Sequence, residues 1–151
     1  MRLLAALTAL TALLMAASAG AADMSPPPEV KPAAADPLAA PRRLIAAKDW
    51  VGALAALRAQ PQAGSADWHN LMGYTLRKQA KPQLAESEVE YLQALRIDPN
   101  HRGANEYLGE LYVMKGDLAK ARERLAVLEK LCPTGCEQRE DLQKAIAAAA
   151  K

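Results

Sequence analysis

The feature that most limits the fold of this chain is a sequence pattern that occurs twice, at the spacing of a helical hairpin. Gly73 lies in the stretch LMGYTL and Gly109 lies 36 residues later in YLGELY, while Pro99 and Pro133 close the following segments 34 residues apart. Self-similarity at this period is typical of solenoids, in which pairs of antiparallel helices stack and bury a shared apolar face. Hydrophobic residues make up 51% of the chain, but aromatics reach only 4% and Phe is absent. Such a composition favours helices packed at close range over sheets, so we predict an all-α fold.

The second copy of the pattern has the densest set of matching positions. Counted from Arg102, the seventh, eighth, eleventh, twentieth, twenty-fourth and thirty-second places are Leu108, Gly109, Tyr112, Ala121, Leu125 and Pro133. This set resembles the consensus of the tetratricopeptide repeat (TPR) family, with Asn105 in place of the usual Trp and Leu128 in place of the usual Ala. The spacing has a physical reason, because small residues are needed where two antiparallel helices approach each other and large ones fill the seam.

The rest of the chain after residue 41 matches the TPR pattern less regularly. In the first full copy, the residues on consensus positions are Gly73, Tyr91, Ala94 and Pro99. Two residues are added around 79–83, where Pro82 is expected to lie in the first turn of the second helix. The resemblance implies a TPR-like α-solenoid that ends in a C-terminal capping helix at 137–150, which shields the last apolar face. Its hairpins, about three in number, are expected at about residues 42–61, 66–99 and 102–133.

The N-terminal part of the chain differs in composition. Residues 1–21 carry one basic residue, Arg2, then an apolar run and a small-x-small ending at Ala21, as in a signal peptide that is cleaved on export. The apolar run is shorter than the roughly 20 residues that span a bilayer, so the mature chain is expected to be soluble in the periplasm without stable membrane insertion; the alternative is an uncleaved anchor. Residues 22–41 contain six of the ten prolines, which predicts an extended, disordered linker. A proline-rich docking motif is the alternative there.

Charge balance and the absence of recognisable motifs limit the classes of function. The chain has 19 Lys and Arg residues against 17 Asp and Glu residues, whereas nucleic acid binding needs a clustered surplus of cations. The sequence contains no Ser-His-Asp or paired-carboxylate arrangement, no phosphate-binding Gly loop and no haem attachment motif. We therefore predict a protein that is not an enzyme, holds no cofactor and does not bind nucleic acid.

Cys132 and Cys136 are the only cysteines, and they flank Pro-Thr-Gly at the junction of the last hairpin with the capping helix. In an oxidising compartment an even number of thiols favours pairing, so we expect a disulfide that fixes the capping helix. A redox-active pair or a soft-metal site is the alternative, since spaced thiols bind Cu(I) or Zn. His69 and His101 lie 32 residues apart, so each is expected to be a structural or exposed histidine, and no metal site is assigned.

The resemblance also implies where a partner binds. In TPR domains the first helix of each hairpin lines a concave groove, and the corresponding residues with suitable chemistry here are Asn70, Tyr74, Arg77, Glu106 and Glu110. Asn70 is expected to hold an extended peptide backbone and Tyr74 to pack on it. Arg77 is expected to take an acidic group, while the two glutamates favour a basic segment. The alternative is an ordinary solvated helix face of mixed charge.

These expectations describe a periplasmic scaffold or adaptor that binds another exported or envelope protein, or a peptide, through its concave groove. The sequence does not identify the partner, and the open faces of a short stack of helices leave self-association possible. The alternative function is that of a metal- or thiol-redox-linked accessory protein that acts through Cys132 and Cys136.

Overall fold

A computed structural model describes residues 36–151 of the chain. The predicted signal peptide, and the predicted linker before Asp36, lie outside the described residues. Residues 36–151 form seven α-helices and no strand, which confirms the prediction of an all-α fold for this part of the chain. The helices are α1 (Ala39–Ala46), α2 (Trp50–Ala59), α3 (Ala66–Arg77), α4 (Leu84–Ile97), α5 (Arg102–Met114), α6 (Leu118–Leu131) and α7 (Glu137–Ala149).

Polar side chains fix the first turns of four of these helices. The side chains of Asp49, Ser65 and Asp117 each accept a backbone N–H group from the first turn of α2, α3 and α6, at 2.9, 3.2 and 3.1 Å. At the start of α5 the acceptor is Nδ1 of His101, which takes the N–H of Ala104 at 3.0 Å. Each bond satisfies a donor that the first turn of a helix leaves without an intrahelical partner.

Two helices begin elsewhere than the sequence suggested. The first, α1, begins three residues before the expected position 42, because Oδ1 of Asp36 accepts the N–H of Leu38 at 2.9 Å. Pro41 lies in the first turn of α1, where a backbone N–H is not needed. The fourth helix begins at Leu84, so the prediction that Pro82 lies in its first turn is wrong. The residues added to this copy of the repeat lengthen the turn instead.

The helices are arranged in a regular order of contacts. Each helix packs against the next one along the chain, and the odd-numbered helices also contact one another in sequence, α1 with α3, α3 with α5, and α5 with α7. Within residues 36–151 no contact joins two even-numbered helices. The odd-numbered helices therefore form one continuous layer, and the surface shared by α3 and α5 lies in the middle of it.

Two groups of buried side chains hold the layer together. The first involves α2, α3 and the residue before α1, and consists of Leu38, Leu54, Leu57, Trp68, Met72 and Leu76. The second extends from α4 to α7 and consists of Tyr91, Leu108, Leu111, Tyr112, Ala121, Leu128, Leu142 and Ile146. Full burial of one such Leu or Ile side chain contributes about 1.5–3 kcal/mol, so these two groups are the main apolar source of stability.

The residues that the repeat pattern singled out contribute to this packing in different ways. Buried side chains are Tyr91, Ala94, Leu108, Tyr112 and Ala121, and Leu125 is half-buried. Pro99 and Pro133 are exposed and follow the ends of α4 and α6. The set therefore divides into core positions and positions that end helices.

The two glycines of the pattern lie where another helix approaches the backbone closely. A Cβ added to Gly73 would lie 2.8 Å from the ring of Tyr91 on α4, and one added to Gly109 would lie 2.5 Å from Leu142 on α7. A side chain at either position would force its neighbour to move. The approach at Gly109 comes from α7 rather than from α6, so the last helix is seated directly on the second copy of the repeat.

Candidate functional site

The residues predicted to bind a partner come from two neighbouring helices of the odd-numbered layer. Asn70, Tyr74 and Arg77 lie on α3, and Glu106 and Glu110 lie on α5. The two groups touch directly, because Nη2 of Arg77 donates a hydrogen bond to Oε2 of Glu110 at 2.6 Å. We call the surface formed by these five residues, together with Gly103, Tyr107 and Met114, the α3–α5 face.

Arg77 lies at the centre of this face. It is 5% exposed, its guanidinium carbon lies 5.6 Å from the ring centres of both Tyr74 and Tyr107, and Nη1 lies 3.8 Å from Sδ of Met114. Its Nε atom is buried and has no hydrogen-bond partner among the described residues. Stacking on aromatic rings combined with an ion pair suits the planar guanidinium of arginine better than a lysine. The charge expected to take an acidic group of a partner is thus already paired with Glu110 within the chain.

Aromatic rings form a row across the same part of the molecule. The ring centres of Tyr74 and Tyr107 lie 4.7 Å apart, Trp50 of α2 lies 6.0 Å from Tyr74, and Tyr91 lies 6.2 Å from Tyr107. Such pairs add about 0.5–1.5 kcal/mol each beyond their burial. Sequence reasoning missed Trp50 and Tyr107. Tyr107 could have been assigned to the site from its spacing, because it lies three residues before Glu110 and two helical residues at that spacing share one face.

Glu106 lies on this face without a partner. It is 6% exposed, and none of the described residues forms a hydrogen bond or ion pair with its carboxyl group. Burial, followed by the negative charges of Glu110, Asp141 and Glu137, raises the pKa of Glu106 to about 8 against the opposing effect of Arg77. At neutral pH most chains therefore carry a proton on this side chain.

Asn70 is a second polar side chain of the face that lacks a partner. It is 8% exposed, and its Oδ1 atom is buried with no donor among residues 36–151. Its Nδ2 atom lies beside α5, since a Cβ added to Gly103 would be 3.2 Å away from it. Gly103 precedes Glu106 by about one helical turn. Asn70 and Glu106 therefore border the same part of the face.

An ion pair ties α3 to α1, and a hydrogen bond ties α3 to the start of α5. Oδ2 of Asp67 accepts a hydrogen bond from Nη2 of Arg42 at 2.9 Å, and Oδ1 accepts one from Nε2 of His101 at 2.9 Å. The bond from His101 is the main cause of a lowered pKa at Asp67. Because Nδ1 of His101 accepts the N–H of Ala104, the tautomer assigned from these contacts is the neutral ring with its proton on Nε2.

His69 replaces the consensus Trp of the repeat and has a partner at both ring nitrogens. Its Nδ1 atom lies 2.6 Å from Oε2 of Glu90, and its Nε2 atom lies 3.1 Å from the carbonyl oxygen of Ala63. The side chain is 8% exposed. His69 thus links α3 to α4 and to the turn before α3.

The two cysteines meet at the junction of the last two helices. Their sulfur atoms lie 2.08 Å apart and their Cα atoms 5.9 Å apart, so the pair is at disulfide distance. Cys132 is the residue after α6 and Cys136 the residue before α7. Nη1 of Arg139 donates hydrogen bonds to the carbonyl oxygens of Cys132 and Pro133 at 3.2 and 3.1 Å. The pair therefore lies where the sequence predicted a link between the last hairpin and the final helix.

Comparisons with known proteins leave the family open. A scan against models of protein families finds no match to this chain, and a search of curated proteins finds no similar one. Among residues 36–151, no three His, Cys, Asp or Glu side chains are grouped so that they could hold a metal ion, and no enclosed pocket is present in that range. None of the seven helices described is long and apolar enough to cross a membrane.

Proposed function

We propose that this chain is an exported, TPR-type interaction module that binds an extended segment of another protein along the α3–α5 face. The observation that carries this proposal is the contact between Arg77 and Glu110 at 2.6 Å. It joins two residues that the repeat pattern assigned to one groove, although they lie 33 residues apart in the sequence. Sequence spacing and helix packing therefore point to the same surface.

The order of helix contacts supports the TPR-type arrangement. In a solenoid of helical hairpins, each first helix packs on its own partner and on the first helices of neighbouring repeats. The helices α1, α3, α5 and α7 contact one another in that order. The close approaches at Gly73 and Gly109 support the same interpretation, because the repeat pattern requires a small residue at both positions. In a stack of this kind the layer of first helices lines the concave side.

The α3–α5 face offers an extended polypeptide two kinds of contact. The rings of Tyr74 and Tyr107 provide contact area at a low entropic cost, because a tyrosine side chain has only two torsion angles to fix. Asn70 borders the rings, and its Oδ1 atom is buried without a donor among the described residues. Glu110 supplies negative charge, and Glu106 adds to it in its ionised form. A ligand that donates to the carboxyl group of Glu106 gives that group the partner it lacks among the described residues.

We also propose that the chain is exported to an oxidising compartment. The sequence of residues 1–21 is typical of a cleavable signal peptide. The disulfide distance between Cys132 and Cys136 supports the same location, since disulfides persist outside the cytosol and are rare within it. The partner is therefore sought among exported and envelope proteins, with a second copy of this chain as the alternative partner.

The alternative proposal is an accessory protein that acts through the two cysteines by metal binding or thiol redox chemistry. Reactive thiols are partly exposed and lie near positive charge. Cys132 is 7% exposed, and its Sγ atom lies 3.2 Å from the carbonyl oxygen of Leu128, whereas Cys136 is half-buried. The burial of Cys132 favours a structural disulfide. If Cys132 and Cys136 are isolated as free thiols and bind Cu(I) tightly, the metal or redox function is favoured over the structural disulfide.

Site-specific photo-crosslinking tests the proposed function. The photo-reactive amino acid p-benzoylphenylalanine is introduced in place of Tyr74, and, as a control, in place of Val89, which is 63% exposed on α4. In an extract of the cell envelope we expect crosslinked partner bands from position 74 and not from position 89. The bands should disappear in the Asn70→Ala/Arg77→Ala variant, once circular dichroism has shown that the variant is folded. Equal bands from both positions, or bands retained in the folded variant, would show that the assignment of the site is wrong.

A further inference from the structure

One region of the α3–α5 face contains hydrogen-bond acceptors but no donors to match them. Glu106 is 6% exposed and Asn70 is 8% exposed. Oδ1 of Asn70 is buried without a donor, and no described residue donates to the carboxyl group of Glu106. Gly103 lies beside the amide of Asn70, since a Cβ added to it would be 3.2 Å from Nδ2. We call the region formed by Asn70, Gly103 and Glu106 the acceptor patch.

The charges that face the acceptor patch are mostly negative. Glu110 lies about one turn further along α5, and Glu137 and Asp141 act on the patch from α7. The cation on α3, Arg77, is already paired with Glu110 at 2.6 Å. Lys144 pairs with Asp141 at 3.0 Å, in an exposed position. The carboxyl group of the patch and that of Glu137 therefore have no cation of their own within residues 36–151.

A cation is the ligand that complements this arrangement. In the free chain the proton on Glu106 avoids the cost of a buried, unpaired carboxylate. A cationic group that donates N–H bonds to Glu106 pairs its carboxylate, and it gains the attraction of the neighbouring carboxylates. An anionic group would be repelled, and an apolar group would leave the carboxyl group without a partner.

We propose that the acceptor patch binds a cationic side chain, arginine or lysine, of the polypeptide held on the α3–α5 face. This inference rests on the proposed function and names the chemistry of its partner. Arginine fits best, because its planar guanidinium can donate two parallel N–H bonds to one carboxylate. The occupant is a residue within a polypeptide rather than a small cation, since the rest of a chain can also contact the rings of Tyr74 and Tyr107.

Binding of this kind exchanges a proton for the cation. Only the ionised form of Glu106 makes a charge-assisted hydrogen bond, and the pKa of Glu106 is about 8. About a tenth of the chains carry the ionised form at pH 7 and about nine tenths at pH 9, so the affinity for a segment with arginine rises roughly tenfold over that range. Arginine keeps its own charge throughout. At pH 7, close to one proton is released for each segment bound.

Selection from a random displayed-peptide library on the purified full-length chain tests this inference. At pH 8.5 we expect the wild-type protein to enrich peptides that contain arginine or lysine. Glu106→Gln should lower the recovery of these basic peptides at least tenfold, because the amide carries no charge. Glu129→Gln is the matched control, since Glu129 is an exposed glutamate on α6, and it should select the same peptides as the wild type.

Titration of an enriched synthetic peptide by fluorescence anisotropy provides a second readout. For the wild type, the dissociation constant should fall about tenfold between pH 7 and pH 9. For Glu106→Gln it should change less than twofold, and replacement of the basic residue of the peptide by glutamine should also remove the pH dependence. Free arginine amide is the probe for a small-cation site. Competition by arginine amide as strong as by the peptide would overturn the assignment to a polypeptide.

The possible outcomes separate this inference from the function on which it rests. If the wild type enriches peptides that depend on Tyr74 but are not basic, or if Glu106→Gln selects the same basic peptides, the inference is overturned and the proposed function remains. If the wild type enriches no peptide beyond those recovered on Tyr74→Ala, both are overturned.

Discussion

Replacement of Glu106 by glutamine removes a titrating group from the α3–α5 face with almost no change in size. In the folded chain the pKa of this carboxyl group is raised from 4.5 to about 8, mainly by burial. The unfolded chain therefore ionises this group at a lower pH than the folded chain does, and folding takes up a proton between the two values. The stabilising effect of that proton is complete below about pH 4.5, declines as the pH rises through the window, and is lost above about pH 8.

The size of the effect follows from the same values. Each unit of pKa difference corresponds to about 1.36 kcal/mol, so a rise from 4.5 to about 8 sets an upper bound of about 5 kcal/mol. The side chain still has 6% of its surface exposed on an open face, and solvent screening there reduces the figure by about half. We therefore expect wild-type protein to lose about 2 kcal/mol of unfolding free energy from this group between pH 5 and pH 9, and Glu106→Gln to avoid that loss.

Urea unfolding followed by circular dichroism at pH 5, 6, 7, 8 and 9 measures this effect. The quantity compared is the difference in unfolding free energy between variant and wild type, because other titrating groups cancel in it. Glu106→Gln should match the wild type at pH 5 and exceed its stability by about 2 kcal/mol at pH 9. Glu129→Gln, at an exposed position, should follow the wild type throughout. A constant difference between Glu106→Gln and the wild type across this range would refute the reasoning.

Changes at three other places test the packing and the cysteine link. Leu128→Ala, at a side chain with 0% exposure, should lower the free energy of unfolding in urea by about 3 kcal/mol through the cavity it leaves; a loss below about 1 kcal/mol would contradict the packing of α6. Gly109→Ala places a methyl group 2.5 Å from a side chain of α7 and should lower the free energy of unfolding by about 1–3 kcal/mol. Gly64→Ala is the control, because the new methyl group there meets open space, and it should leave the free energy of unfolding nearly unchanged. The intact mass of the purified protein should show the deficit of two hydrogen atoms that one disulfide produces. Replacement of Cys132 and Cys136 by Ser should lower the free energy of unfolding by about 2 kcal/mol and leave the crosslinked partners unchanged. Isolation of the pair as free thiols would contradict the structural role.

The helical architecture follows from local sequence signals to a large extent. The spacing of Gly73 and Gly109 predicts close approaches between helices, and Ser65 before α3 is the kind of residue that begins a helix. The start of α1 was less predictable, because a proline such as Pro41 fits both an extended linker and the first turn of a helix. The hydrogen bond from the N–H of Leu38, the residue before α1, to Asp36 favours the start of the helix.

The candidate site was predictable as a surface but not in its electrostatics. Helical spacing is sufficient to place Arg77 and Glu110 on two separate helices, α3 and α5. The ion pair between them depends on the register of α3 against α5, which no local pattern specifies. The environment of Glu106 depends on the docking of α7, which brings Glu137 and Asp141 towards it. A glutamate on a helix surface is expected to be solvated, so its burial could not be predicted from its own neighbours in sequence.

The carboxyl group of Glu106 makes two parts of the molecule depend on one proton. Glu106 fits its position best when it carries that proton, and it lies on α5, the helix that contacts both α3 and α7. Alkalinisation places a charge where α5 packs. The α3–α5 face and the seat of α7 therefore share one upper limit of pH, which a single side chain sets.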